Sequence, residues 1–169
     1  LNEAVKAIKG EGTEEAFDTV IDFNIDAFIP SSYIKNEVQK LEIYKRISGI
    51  ENEEEADDMR DELVDRFGDI PRAVENLLEV SLLKGLAHSA YVTELSGNRG
   101  EVRLMMYEKA PFHVEKLPEL MKRYGEALKF SGAGQPYFTF MDRKKENKEP
   151  RQMAEKVKIL LNAIKELLL

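Results

Sequence analysis

Two histidines, one glycine-rich turn and a block of ten carboxylates between Glu51 and Asp69 are the features whose residue types and spacing raise the question of chemistry. His88 and His113 lie far apart in the chain, and cysteine is absent, so neither histidine has companions at the spacing a zinc site needs. One falls near a helix end and the other near a helix start, positions where imidazole serves structure. The serines Ser31, Ser32, Ser48, Ser81, Ser89, Ser96 and Ser131 have no nucleophile-elbow context. Gly132-Ala133-Gly134 lacks the lysine of a phosphate loop and sits between two strand-like segments instead of opening a helix, so it reads as a turn. The carboxylate block lacks the Asp-x-Asp/Asn-x-Asp/Asn-Gly loop that wraps calcium. No catalytic, cofactor-binding or metal site is expected.

The block must be carried by a helix. Ala56, Met59, Leu63 and Phe67 recur at i, i+3, i+7 and i+11, which puts one apolar stripe on a core and leaves the acids to face elsewhere. Gly68 supplies a helix stop, and Pro71 begins a third helix bearing Val74, Leu77, Leu78, Leu82 and Leu86. Upstream, Ile21, Phe23, Ile25, Ala27 and Ile29 alternate with polar residues as a half-buried strand does, until Pro30. Ile34, Val38, Leu41 and Tyr44 predict a helical stripe. Tyr91–Leu95 and Val102–Tyr107 predict a hairpin around Gly97–Gly100, and Leu128–Phe130 with Tyr137–Met141 a second. Val114, Leu117, Leu120, Met121 and Tyr124 suggest a short fourth helix, and Met153 to Leu168 an amphipathic last one. The expected fold is α+β: a small antiparallel sheet of about five strands packed with five or six helices in a single domain.

Charge is uneven. The net −7 contains −8 from residues 51–69 alone, since Arg60 and Arg66 are the only bases there, so the rest of the chain is close to neutral. Such a chain is a poor phosphate binder and a good match for a basic partner. The basic loop Arg143, Lys144, Lys145, Lys148 and Arg151 is interrupted by Glu146 and Glu149 and reads as solvated. Lack of cysteine fits a reducing cytoplasm, and no apolar run approaches the roughly 18 residues of a membrane span. A chain opening on Leu1 is expected to be a piece of a longer protein.

Three ordered blocks carry a resemblance. Asp26-Ala27-Phe28-Ile29-Pro30-Ser31-Ser32-Tyr33-Ile34 is similar to the Asp-Ala-Tyr-Ile-Pro-Asp-Ser-Tyr-Ile stretch of bacterial transcription-repair coupling factors (the Mfd, or TRCF, family). Lys40–Ile47 then matches Arg/Lys-Leu-Glu-x-Tyr-Lys-Arg-Ile, and Asp61–Pro71 matches the family's Glu-Leu-Ile/Val-Asp-Arg-Phe-Gly block, followed by Val74-Glu75-Asn76-Leu77-Leu78. Phe28 and Ser31 depart from the pattern. The similarity runs from about Thr19, so residues 1–18 are expected to be the tail of a preceding translocase region and 19–169 the C-terminal regulatory domain.

The resemblance implies a role. Family proteins are ATP- and magnesium-dependent translocases on double-stranded DNA that displace stalled RNA polymerase and recruit the repair ATPase UvrA. The C-terminal domain lacks the ATPase motifs and packs on a UvrB-like N-terminal module of the same chain, hiding the UvrA-binding surface. In the family the glutamate and aspartate of Glu-Leu-Ile/Val-Asp-Arg-Phe-Gly face basic residues of that module. Here they are Glu62 and Asp65, with Asp58 one turn before. A structural cap, or a module binding nucleic acid or another repair protein, remains the alternative.

Overall fold

The computed structural model describes residues 17–98, 100–142 and 150–168. In chain order the elements are β1 (Val20–Asp22), α1 (Glu37–Ser48), α2 (Glu53–Phe67), α3 (Arg72–Ser89), β2 (Val92–Asn98), β3 (Glu101–Met106), α4 (Leu117–Tyr124), β4 (Leu128–Ser131), β5 (Tyr137–Met141) and α5 (Pro150–Glu166). The strands form one sheet in the order β1-β2-β3-β5-β4. The α+β expectation holds, with one difference in the sheet. Three pairings are antiparallel, whereas β1 lies parallel to β2, Ile21 opposite Leu95. A parallel neighbour requires a long crossover, and α1, α2 and α3 supply it.

Two apolar clusters share α3. Val74, Leu78 and Leu82 on one face of it pack with Ile43 and Ile47 of α1 and with Ala56, Met59 and Leu63 of α2. Leu83 and Ala87 on its second half join the sheet and α5, whose Val157, Leu160, Leu161 and Ile164 are buried. A rotation of 100° per residue lets one long helix face both groups. Gly85 sits at the changeover. A Cβ there would lie 3.1 Å from the Cα of Glu51 and 3.3 Å from its carbonyl oxygen, so only glycine lets the α1–α2 link cross so closely.

Local chemistry sets the boundaries. Asn36 accepts from the N–H groups of Val38 and Gln39 at 2.9 and 3.1 Å and starts α1. Asn52 accepts from the N–H of Glu55 at 2.9 Å and starts α2, where Glu53, Glu54 and Glu55 also suit the positive end of the helix dipole. Gly68, at φ +89°, ends α2 while its N–H donates to the Val64 carbonyl at 3.0 Å.

Two sequence expectations are corrected. The alternation from Ile21 to Ile29 is real in burial, but only residues 20–22 pair as a strand. Beyond Asp22 the chain runs along α3, where the Phe28 N–H donates to the Ala73 carbonyl and the Asn76 side-chain amide to the Asp26 carbonyl. Period-two burial reports an extended chain on a surface, whether or not its backbone joins a sheet. On α1 the inward stripe is Ile43 and Ile47, while Val38 and Leu41 are 77% and 57% exposed. Ile34 is buried, but it lies ahead of the helix, so its phase does not carry into α1.

Residues 1–16 and the loop 143–149 lie outside the described residues, so most of the expected translocase tail and the basic-loop reading are not addressed by the structure. Within the expected tail, Phe17 stacks on Tyr107 at 4.7 Å and lies tilted against His88 at 4.4 Å, and so belongs to the folded surface.

Candidate functional site: the outer face of the acidic helix

Helix α2 is anchored by burial of Ala56, Met59 and Leu63, with Phe67 half-buried against Tyr33. Counting 100° per residue, the direction opposite this stripe is occupied by Glu54, Asp58, Asp61 and Asp65. All four are exposed, and among the described residues none has an ion-pair or hydrogen-bonding partner for its side chain. They form a row roughly 16 Å long at 1.5 Å per residue. Four like charges with no partner among the described residues are a field directed outward, and a basic surface is its complement.

Glu62 differs. It lies about 60° around the helix from Asp65, toward α1. Arg46 of α1 grips it with both terminal nitrogens: Nη1 donates to Oε2, and Nη2 to Oε1 at 2.7 Å. Arg66 donates from Nη1 to Oε2 at 2.9 Å. Hydrogen bonds from Arg46 first, then Arg66, hold the Glu62 carboxyl down at about 2. The three sequence-selected carboxylates therefore divide. Asp58 and Asp65 face solvent with no partner among the described residues, while Glu62, still 32% exposed, is satisfied within the fold.

A second network, not anticipated from the sequence, fixes α2 in place. Arg60, on the flank of the buried stripe, donates from Nε to both Glu75 oxygens at 2.6 and 3.1 Å, from Nη1 to Asp57 at 2.7 Å and from Nη2 to Glu79 at 3.3 Å. Glu79 also accepts from Lys158 of α5, whose Nζ lies 3.2 Å from Glu155. Arg60, Glu79 and Lys158 keep 22, 14 and 13% of their side-chain surface. The signal available was an arginine in the middle of an acidic helix, with Glu75 and Glu79 spaced i, i+4 on the next one. The acidic face is thus mounted on a helix tied to α3, and through α3 to α5.

The histidines fall elsewhere. Thr19, buried, donates through its hydroxyl to the Val92 carbonyl at 2.7 Å, which leaves its oxygen to accept from Nδ1 of His88 at 3.1 Å. His113 is exposed beside Glu115 at 3.3 Å. Both have structural surroundings. Among the described residues no three His, Cys, Asp or Glu side chains are placed to hold a metal, and no helix is long and apolar enough to cross a membrane.

Residues 23–117, a span that includes α1, α2, α3 and the β2–β3 hairpin, match the family model of the TRCF domain. The chain belongs to the TRCF domain family. It is 37% identical over 131 residues to the transcription-repair-coupling factor of Bacillus subtilis and 38% identical over 133 residues to that of Staphylococcus haemolyticus. Each alignment covers 76% of this chain but only 11% of the relative, so the chain spans about a tenth of the length of the curated relatives it matches. The crystal structure of a C-terminal domain of transcription-repair coupling factor superposes with a TM-score of 0.72 at 26% identity, covering 89% of this chain and 95% of the other. The TRCF-matched segment contains every residue of the acidic row and both arginines that hold Glu62.

Proposed function

We propose that this TRCF domain is a non-catalytic regulatory module that docks, through the outer face of α2, onto a basic surface of a UvrB-like N-terminal module in its own full-length chain, and so masks the surface that UvrA binds. The observation that supports this reading most is the row Glu54, Asp58, Asp61 and Asp65, exposed and without a side-chain partner among the described residues, on a helix fixed by Arg60. Asp58 and Asp65 supply free carboxylates to the partner. Glu62 joins them when its two arginines turn aside. The parent is a transcription-repair-coupling factor that uses ATP and magnesium to translocate on duplex DNA, displaces stalled RNA polymerase and hands the lesion to excision repair in the cytoplasm. This domain contributes none of the phosphate chemistry and needs no cofactor.

A charged contact suits a clamp that must open. Exposed ion pairs are each worth about 0.2–1 kcal/mol. A tethered partner reaches an effective concentration of roughly millimolar, so a contact with a Kd near ~0.1 mM would keep ~90% of molecules closed. Polymerase engagement then has only a few kcal/mol to overcome.

The test is a full-length protein carrying Asp58→Asn with Asp65→Asn. Its affinity for UvrA should rise while its fold is retained. Unchanged affinity with an intact fold rejects the masking role and leaves a structural cap as the reading. The isolated chain should neither hydrolyse ATP nor retard duplex DNA in a gel at low or moderate salt.

A further inference from the structure

Of the two arginines that must release Glu62 for docking, Arg46 makes the stronger contact. Its guanidinium reaches from α1 across to α2, 41% exposed, and occupies both oxygens of Glu62. Arg66 takes a further position on Oε2. A carboxylate offers about four acceptor positions, and these two arginines fill three. The three side chains together carry +1. A basic surface approaching Glu62 therefore meets two guanidinium groups around a carboxylate already satisfied, whereas Asp58 and Asp65 next to it have no partner among the described residues.

We propose that Arg46 is an intramolecular competitor for the Glu62 carboxylate: a partner's arginine gains Glu62 only by displacing the α1 guanidinium, and this exchange sets how firmly α2 docks. The inference rests on the docking reading above and adds the residue that tunes it. On release, Glu62 returns to Arg46, so undocking strands no carboxylate and the open state carries no penalty at this position. Arg66 cannot substitute fully. It sits four residues from Glu62 on the same helix and offers a single hydrogen bond, whereas Arg46 makes the two-pronged contact.

The experiment uses the full-length protein and purified UvrA, with binding titrations for Arg46→Gln, Arg46→Lys, Glu62→Gln, the Arg46→Gln/Glu62→Gln double variant and the Asp58→Asn/Asp65→Asn variant. Removing the competitor tightens the closed state, so Arg46→Gln should weaken apparent UvrA affinity by about two- to tenfold, the equilibrium counterpart of one or two surface charge contacts. Arg46→Lys should shift it the same way by less, and it carries the test should Arg46→Gln fail to fold. In the Glu62→Gln background, Arg46→Gln should change nothing. If Arg46→Gln leaves UvrA affinity unchanged or strengthens it while Asp58→Asn/Asp65→Asn still raises it, the competitor role is overturned and docking stands. If the aspartate variant also has no effect, docking and competition fail together.

Discussion

Truncating Arg60 should cost this domain more than breaking an ordinary exposed ion pair. Its guanidinium bridges Glu75 twice, Asp57 and Glu79 while keeping only 22% of its side-chain surface. Arg60→Ala removes those bonds and leaves Glu75 and Glu79, 24 and 14% exposed, as like charges one turn apart on α3. Fully exposed pairs cost at most about 1 kcal/mol to break and fully buried ones about 3–5 kcal/mol. Glu79 retains Lys158, so the expected loss lies between, at about 2–3 kcal/mol. For a domain of this size each kcal/mol moves the midpoint by about 2–4 °C, giving a fall of about 4–12 °C. Urea and thermal unfolding followed by circular dichroism measure both. A loss below about 0.5 kcal/mol at low salt would refute the claim that this network ties α2 to α3. A double-mutant cycle with Glu75→Gln should return a coupling of about 1 kcal/mol or more.

Three further outcomes are expected. The Glu62 carboxyl is held near 2 against an ordinary 4.5 by Arg46 and Arg66; a depressed folded value means its stabilisation is present above the unfolded value and is lost as pH falls from about 5 to about 2, which carboxyl-carbon NMR titration would read and Arg46→Gln should shrink. Gly85→Ala should destabilise by about 1–3 kcal/mol in urea melts, because its Cβ would press on the Glu51 backbone. Val38→Ser with Leu41→Ser should stay within about 0.5 kcal/mol of wild type, since both side chains stand in solvent; a larger loss would restore the stripe expected from their spacing.

Much of the frame was legible because it rests on local rules. Burial at Ala56, Met59 and Leu63 follows their period, the Gly68 stop follows its positive φ, and the two hairpins follow their turn residues. What escaped were relations between elements. The parallel β1–β2 pairing depends on where the three-helix crossover returns the chain, which no local pattern encodes. The phase of α1 departs from the spacing because Ile34 and Val38 are four apart but are not in the same helix. For the site, spacing alone puts Asp58 and Asp65 on the outer face of α2. It could not show that Glu62 turns to Arg46, because a carboxylate sixteen residues away from its partner meets it only through the α1–α2 packing angle.

Carboxyl-group footprinting of the full-length protein tests the docking claim at the atoms concerned. With the isolated chain as reference, Glu54, Asp58, Asp61 and Asp65 should be modified far more slowly in the full-length protein at rest. Equal labelling of these four carboxylates in the isolated chain and the resting full-length protein would contradict the account.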